Sequence, residues 1–69
     1  MKYTIEYERE EDGRWLAEVI ELPCVLVYAQ TLEKATAKVQ ALALRVLADR
    51  LEHGEDSSSP ISVTFATTA

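Results

Sequence analysis

The chain has 69 residues, with seven Lys and Arg against twelve Asp and Glu and a single cysteine, Cys24. That length allows one domain, which buries only about 60% of its unfolded surface. A lone thiol excludes an internal disulfide framework and fits a reducing compartment. A net charge of −5 repels phosphate backbones, which argues against direct nucleic-acid binding. The charge serves solubility first, and it also suits a basic protein partner.

The amino terminus, MKYTIEYERE, alternates polar and apolar residues and lacks the apolar centre of a signal peptide. No apolar run approaches the roughly 20 residues needed to cross a bilayer. The sequence therefore predicts a soluble, cytoplasmic protein with no membrane partner.

Residues 2–9 read as a strand with Tyr3, Ile5 and Tyr7 on one face and Thr4, Glu6 and Glu8 on the other. Asp12-Gly13 is a hairpin signal, with both positions tolerant of positive φ. Residues 14–22, RWLAEVIEL, form the return strand. Trp15, Ala17 and Val19 share one face, and Leu16, Glu18 and Ile20 the other. Pro23 cannot donate to a ladder, so it ends or bulges that strand. Residues 24–29, CVLVYA, give a third strand that is apolar on both faces.

Thr31 is the candidate N-cap of a helix running from Leu32 to about His53, with Glu33 at its positive end. Leu32, Ala35, Val39, Leu42 and Val46 repeat at helical spacing, and Ala43, Leu47 and Leu51 widen the stripe, with Leu44 beside it. Gly54 is the expected residue just past the helix, with Arg50 and His53 at the negative end. A polar linker spans about 55–60. ISVTF, residues 61–65, returns to strand alternation, and residues 66–69 read as a frayed tail.

The predicted fold is α+β, of order β-β-β-α-β in a single domain over residues 1–69. It has a four-stranded mixed sheet of order 3-2-1-4 with one long helix packed on one face. One helix covers one face only. The opposite face is polar at Thr4, Glu6, Glu8, Ser62 and Thr64, but apolar at Leu16, Ile20, Leu26 and Tyr28. Contiguous exposed apolar residues mark interfaces, so these four are the candidate interface. A one-residue slip in register turns them inward instead.

No residue set carries an enzyme signature. His53 sits near a helix end, where a capping role is common, and no His/Cys/Asp cluster has metal-ligand spacing. Cys24 lacks a nearby base and reads as a buried or half-buried turn thiol. Glu6, Glu8, Glu18 and Glu21 share the sheet's solvent face and read as solvated carboxylates. No catalytic residue, metal or cofactor is expected.

DGRWLAEVIELPCV followed by YAQTLEKA resembles the N-terminal domain of HicB-type antitoxins. Asp12, Gly13, Trp15, Ala17, Leu22, Pro23, Thr31 and Ala35 match that family's pattern, and the likeness runs from residue 2 to about 65. The sequence departs from it at Cys24 and Ala29, where the family has glycines, and at Lys34, where it has an acid. The resemblance implies a partial RNase H-like fold of the same element order. It also implies a partner, a small basic RNA-cleaving toxin that this domain masks. Many members carry a further DNA-binding domain, and none is expected within these residues. The leading expectation is thus a non-catalytic, antitoxin-like module that neutralises or senses such a toxin. The alternative is an orphan domain that self-associates as a dimer or tetramer. Third comes a metal-dependent nuclease using the acidic face.

Overall fold

The computed structural model describes residues 1–54 and 59–67. Its elements are β1 (Lys2–Arg9), β2 (Trp15–Val19), β3 (Leu26–Ala29), α1 (Leu32–Glu52) and β4 (Thr64–Thr67). They form one four-stranded sheet of order β3-β2-β1-β4. β1 pairs antiparallel with β2, β2 antiparallel with β3, and β1 parallel with β4. This is the α+β arrangement predicted from periodicity, with α1 as the crossover between β3 and β4.

The helix begins as expected. The Thr31 side chain accepts from the Lys34 N–H at 3.1 Å, satisfying one of the orphan amides of the first turn. At the other end the His53 N–H donates to the Asp49 carbonyl, and Gly54 adopts φ +71°. Thr31→Ala is expected to lower stability by about 1 kcal/mol. Urea denaturation measures that loss, which Thr31→Asp should not show.

α1 lies across β2 and β3. Its sheet-facing side chains are Ala35, Val39, Ala43 and Leu47, one turn apart and all buried. Under them sit Ala17, fully buried, and Ala29. Small residues on both sides let the helix approach the sheet closely, and Ile5, Val19, Leu22 and Val25 fill the space around that contact. Tyr7, Trp15 and Phe65 flank the core. Tyr7 also ties β1 to the helix through Thr36. The Thr36 hydroxyl already donates to the Leu32 carbonyl at 2.8 Å, so the Tyr7 O–H is the donor in that pair.

Several boundaries differ from the sequence reading. The hairpin loop is not a two-residue turn with positive φ at both Asp12 and Gly13. Only Gly13 has positive φ, +90°. The Gly13 N–H bonds to the Glu10 carbonyl, and the Glu10 N–H to the Arg14 carbonyl. The result is a three-residue loop, a turn followed by a left-handed glycine. β2 stops at Val19 rather than continuing to Leu22, because the chain turns. Leu22 N–H bonds to the Val19 carbonyl and Val25 N–H to the Leu22 carbonyl. β3 accordingly starts at Leu26, not Cys24.

Cys24 avoids positive φ, as does every described residue except Gly13 and Gly54. Its thiol is exposed, not buried or half-buried. Pro23 and Cys24 stand at the outside of the turn, while Leu22 and Val25 on either side are buried. β4 is shifted toward the carboxyl end. Ala66 and Thr67 lie in it rather than in a frayed tail, because the parallel register pairs Tyr3 with Phe65, Thr4 with Ala66 and Ile5 with Thr67. The Met1 ammonium donates to the Ser62 carbonyl, and the Tyr3 and Phe65 rings lie 6.0 Å apart. Most of the expected linker, residues 55–58, and positions 68–69 of the expected tail lie outside the described residues.

Candidate interaction surface on the outer sheet face

The face of the sheet turned away from α1 is set by register. Leu16 is opposite Tyr28, and Glu18 is opposite Leu26. On the other side of β2, Leu16 is opposite Glu8 and Glu18 opposite Glu6. Beyond the end of β2, the Ile20 N–H bonds to the Thr4 carbonyl at 3.0 Å. Directly paired residues share a face, so all of these project outward together.

Ile20, Leu26 and Tyr28 are 48%, 42% and 41% exposed. Leu16, the fourth expected patch residue, is half-buried between Tyr28 and Glu8. The surface grades from apolar at the β3 edge to acidic over β1. Glu6 and Glu18 are directly opposed, an arrangement that destabilises a sheet through like-charge repulsion. Among the described residues, neither has an ion-pair partner.

Tyr28 does not stand alone. The Arg14 guanidinium lies over its ring, 4.7 Å from the centroid, a cation–π contact. Arg14 is itself held by Asp12. Its Nε meets Asp12 Oδ2 at 2.8 Å and its backbone N–H donates to Oδ1 at 3.1 Å. These bonds, the backbone amide first, hold the Asp12 carboxyl below its ordinary pKa. The hairpin loop thus clamps one edge of the patch. Sequence reasoning missed Arg14, although an Asp two residues before an amide is a known signal for such a local bond.

Glu21 is a second residue whose role was not legible. Where β2 has turned away, its carboxylate stands in for the missing ladder and accepts from the Thr4 N–H at 2.8 Å and the Thr4 hydroxyl at 2.9 Å. The Thr4 amide chiefly, with the hydroxyl, lowers the Glu21 pKa from its ordinary 4.5. A lowered folded pKa contributes stability above the unfolded value, lost as pH falls through the folded one. Glu21→Gln is therefore expected to flatten the loss of stability below pH 4.5, measured as urea midpoint against pH. An unchanged acid limb contradicts this role.

His53 lies at the helix C-terminus, its Nδ1 2.7 Å from the Asp49 carbonyl oxygen and 3.3 Å from Asp49 Oδ1. Cys24 lies in the β2–β3 turn with its thiol exposed. Among the described residues, no group of three or more His, Cys, Asp or Glu is placed to hold a metal ion, and no helix is long and apolar enough to cross a membrane. What the outer face has is shape and charge: apolar side chains on one flank and unpaired carboxylates on the other. No protein-family model, no curated protein and no solved structure matches this chain.

Proposed function

We propose that this chain is a non-catalytic protein-binding module of the HicB antitoxin kind. Its outer sheet face covers a small, basic, RNA-cleaving toxin in the cytoplasm. The observation that carries the reading is the exposure of Ile20, Leu26 and Tyr28 beside the opposed Glu6 and Glu18. An apolar cluster bordered by charge fits the composition of a protein interface. A cationic partner relieves the Glu6–Glu18 repulsion as it binds, so its charge contributes at the place where this fold is least satisfied. The element order and strand order, together with the matching residues Asp12, Gly13, Trp15, Ala17, Leu22, Pro23, Thr31 and Ala35, support the family assignment. Inhibition is by occlusion.

The test is functional. If a small basic protein is encoded beside this chain, purified chain should suppress that protein's RNA cleavage at equimolar ratio. Leu26→Glu should abolish the suppression. Cleavage of RNA by this chain itself, lost in Glu6→Gln or Glu18→Gln, contradicts the proposal.

A second reading is an orphan domain whose patch serves self-association as a dimer or tetramer. It is favoured by further apolar exposure on the helix, where Leu44 and Leu51 are 49% and 39% exposed. Sedimentation equilibrium of the isolated chain separates the two. A stable oligomer dissociated by Leu26→Glu supports self-association, and a monomer supports a dedicated partner.

A further inference from the structure

Four of the seven cationic residues of this acidic chain gather along one side of it. Two adjoining depressions follow the open edge of β3. One is lined by Val27, Ala41 and Leu42 with Lys38 and Arg45. The next, of about 390 Å³, is lined by Tyr28, Ala29 and Gln30 with Arg14, Lys34 and Lys38. Lys34, Lys38 and Arg45 are exposed. Among the described residues, none of the three has a carboxylate partner. Lys34 and Lys38 are one helical turn apart, a like-charge spacing that costs helix stability.

The floor between these cations is a strand edge. β3 is the outermost strand. The Val19 N–H bonds to the Val25 carbonyl at 3.1 Å, which fixes the phase of the antiparallel ladder. By alternation, Val27 and Ala29 bond to β2, and the backbone groups of Leu26 and Tyr28 point to the open side. The groove therefore offers backbone donors and acceptors at strand spacing beside a row of positive charge.

We propose that this edge takes an extended acidic peptide as a fifth strand, its carboxylates neutralised by Lys34, Lys38 and Arg45. Along α1 the rise from Lys34 to Lys38 is about 6 Å. Alternate side chains of a strand repeat at about 6.7 Å, so two acids at alternate positions meet Lys34 and Lys38, with Arg45 about 10 Å further along α1. The intervening side chains of such a strand project to the other face, beside Leu26 and Tyr28. Backbone addition to an exposed edge is an established mode of peptide recognition. The same charges disfavour the obvious competitor. Two copies pairing β3 to β3 bring like cations together, as edge lysines commonly do to block such pairing. A nucleic-acid strand gains the charge but cannot continue the ladder, and the Tyr28 ring, the aromatic available to stack a base in this groove, is covered by Arg14. The groove borders the outer face and shares Tyr28 and Arg14 with it, so the variant that separates the two assignments changes Lys34 and Lys38, which lie on the helix side alone.

The probe is an acetylated, amidated peptide of alternating valine and glutamate, titrated into the full chain by calorimetry. Binding is expected, weakened about tenfold or more in Lys34→Glu/Lys38→Glu, whose circular dichroism stays unchanged because both positions are exposed. N-methylating one alternate set of peptide amides should abolish binding, and methylating the other set should not. The proposal is overturned by no binding, by equal binding of the glutamine analogue, by tolerance of both methylated sets, or by a preference for oligouridylate.

Discussion

Tyr28→Glu is expected to weaken partner binding by about 30-fold or more while leaving the far-ultraviolet circular dichroism of the monomer intact. The ring is 41% exposed and contributes little to the core. It is also an amphipathic aromatic within an apolar patch, with Leu16 directly opposite and Leu26 two residues away on the same strand face. Residues of this kind dominate interface energetics, at about 2 kcal/mol or more on truncation. Glutamate removes the aromatic contact and places a charge where apolar surface is to be buried, and both effects act in the same direction. It also ends the Arg14 stack, freeing that guanidinium. Isothermal titration against the partner, or sedimentation if the partner is a second copy, reads the loss. Unchanged affinity means the face over β2 and β3 is not the interface.

Ile5→Ala is expected to unfold much of the population at 37 °C, whereas Ile20→Ala should shift the melting temperature little. Ile5 is 2% exposed, in the middle of β1 and beside Val19. Truncating a buried isoleucine costs about 2–5 kcal/mol through lost transfer energy and the cavity left behind. A domain of this size has a total of about 3–5 kcal/mol from its core. Ile20 is a similar side chain but 48% exposed, so its truncation removes much less buried apolar surface and leaves no internal cavity. Thermal melts of the two variants under identical conditions make the comparison. If Ile20→Ala proves as damaging as Ile5→Ala, the outer face is part of the monomer's own core and the account of it here is wrong.

The fold was legible because its strongest signals are periodic. Tyr3, Ile5 and Tyr7 alternate over a full strand, and the wide helical stripe, with a Thr cap and a Gly stop, contains the four buried residues Ala35, Val39, Ala43 and Leu47, although its end members Leu32 and Leu51 are exposed. Period two and period four distinguish the two structures and assign the faces together. The exposure of Ile20, Leu26 and Tyr28 followed from the same parity. Strand ends were less legible, because they depend on hydrogen bonds between residues far apart in the chain. β2 ends at Val19 where the Glu21 side chain takes over the Thr4 amide, and no local pattern announces that exchange. β4 extends to Thr67 because β1 offers it partners, although its own residues, Thr64–Thr67, are weakly apolar. The exposure of Cys24 was missed because the lack of a nearby base says nothing of which turn residues face inward. The turn instead directs Leu22 and Val25 inward and the thiol out. The cationic row along the β3 edge was hidden for a related reason. Lys34, Lys38 and Arg45 are ordinary helix-surface residues until the crossover lays them beside a strand with open backbone groups.

Photo-crosslinking in intact cells tests the central claim, that another polypeptide covers the outer face of β2 and β3. A benzophenone amino acid is placed at Leu26 and, as a comparison, at Glu33, which is exposed on the opposite side of the sheet at the start of α1. The account predicts that Leu26 yields adducts to a single polypeptide species and that Glu33 does not. A Leu26 probe that gives no protein adduct, in cells where the chain is folded and expressed, contradicts it.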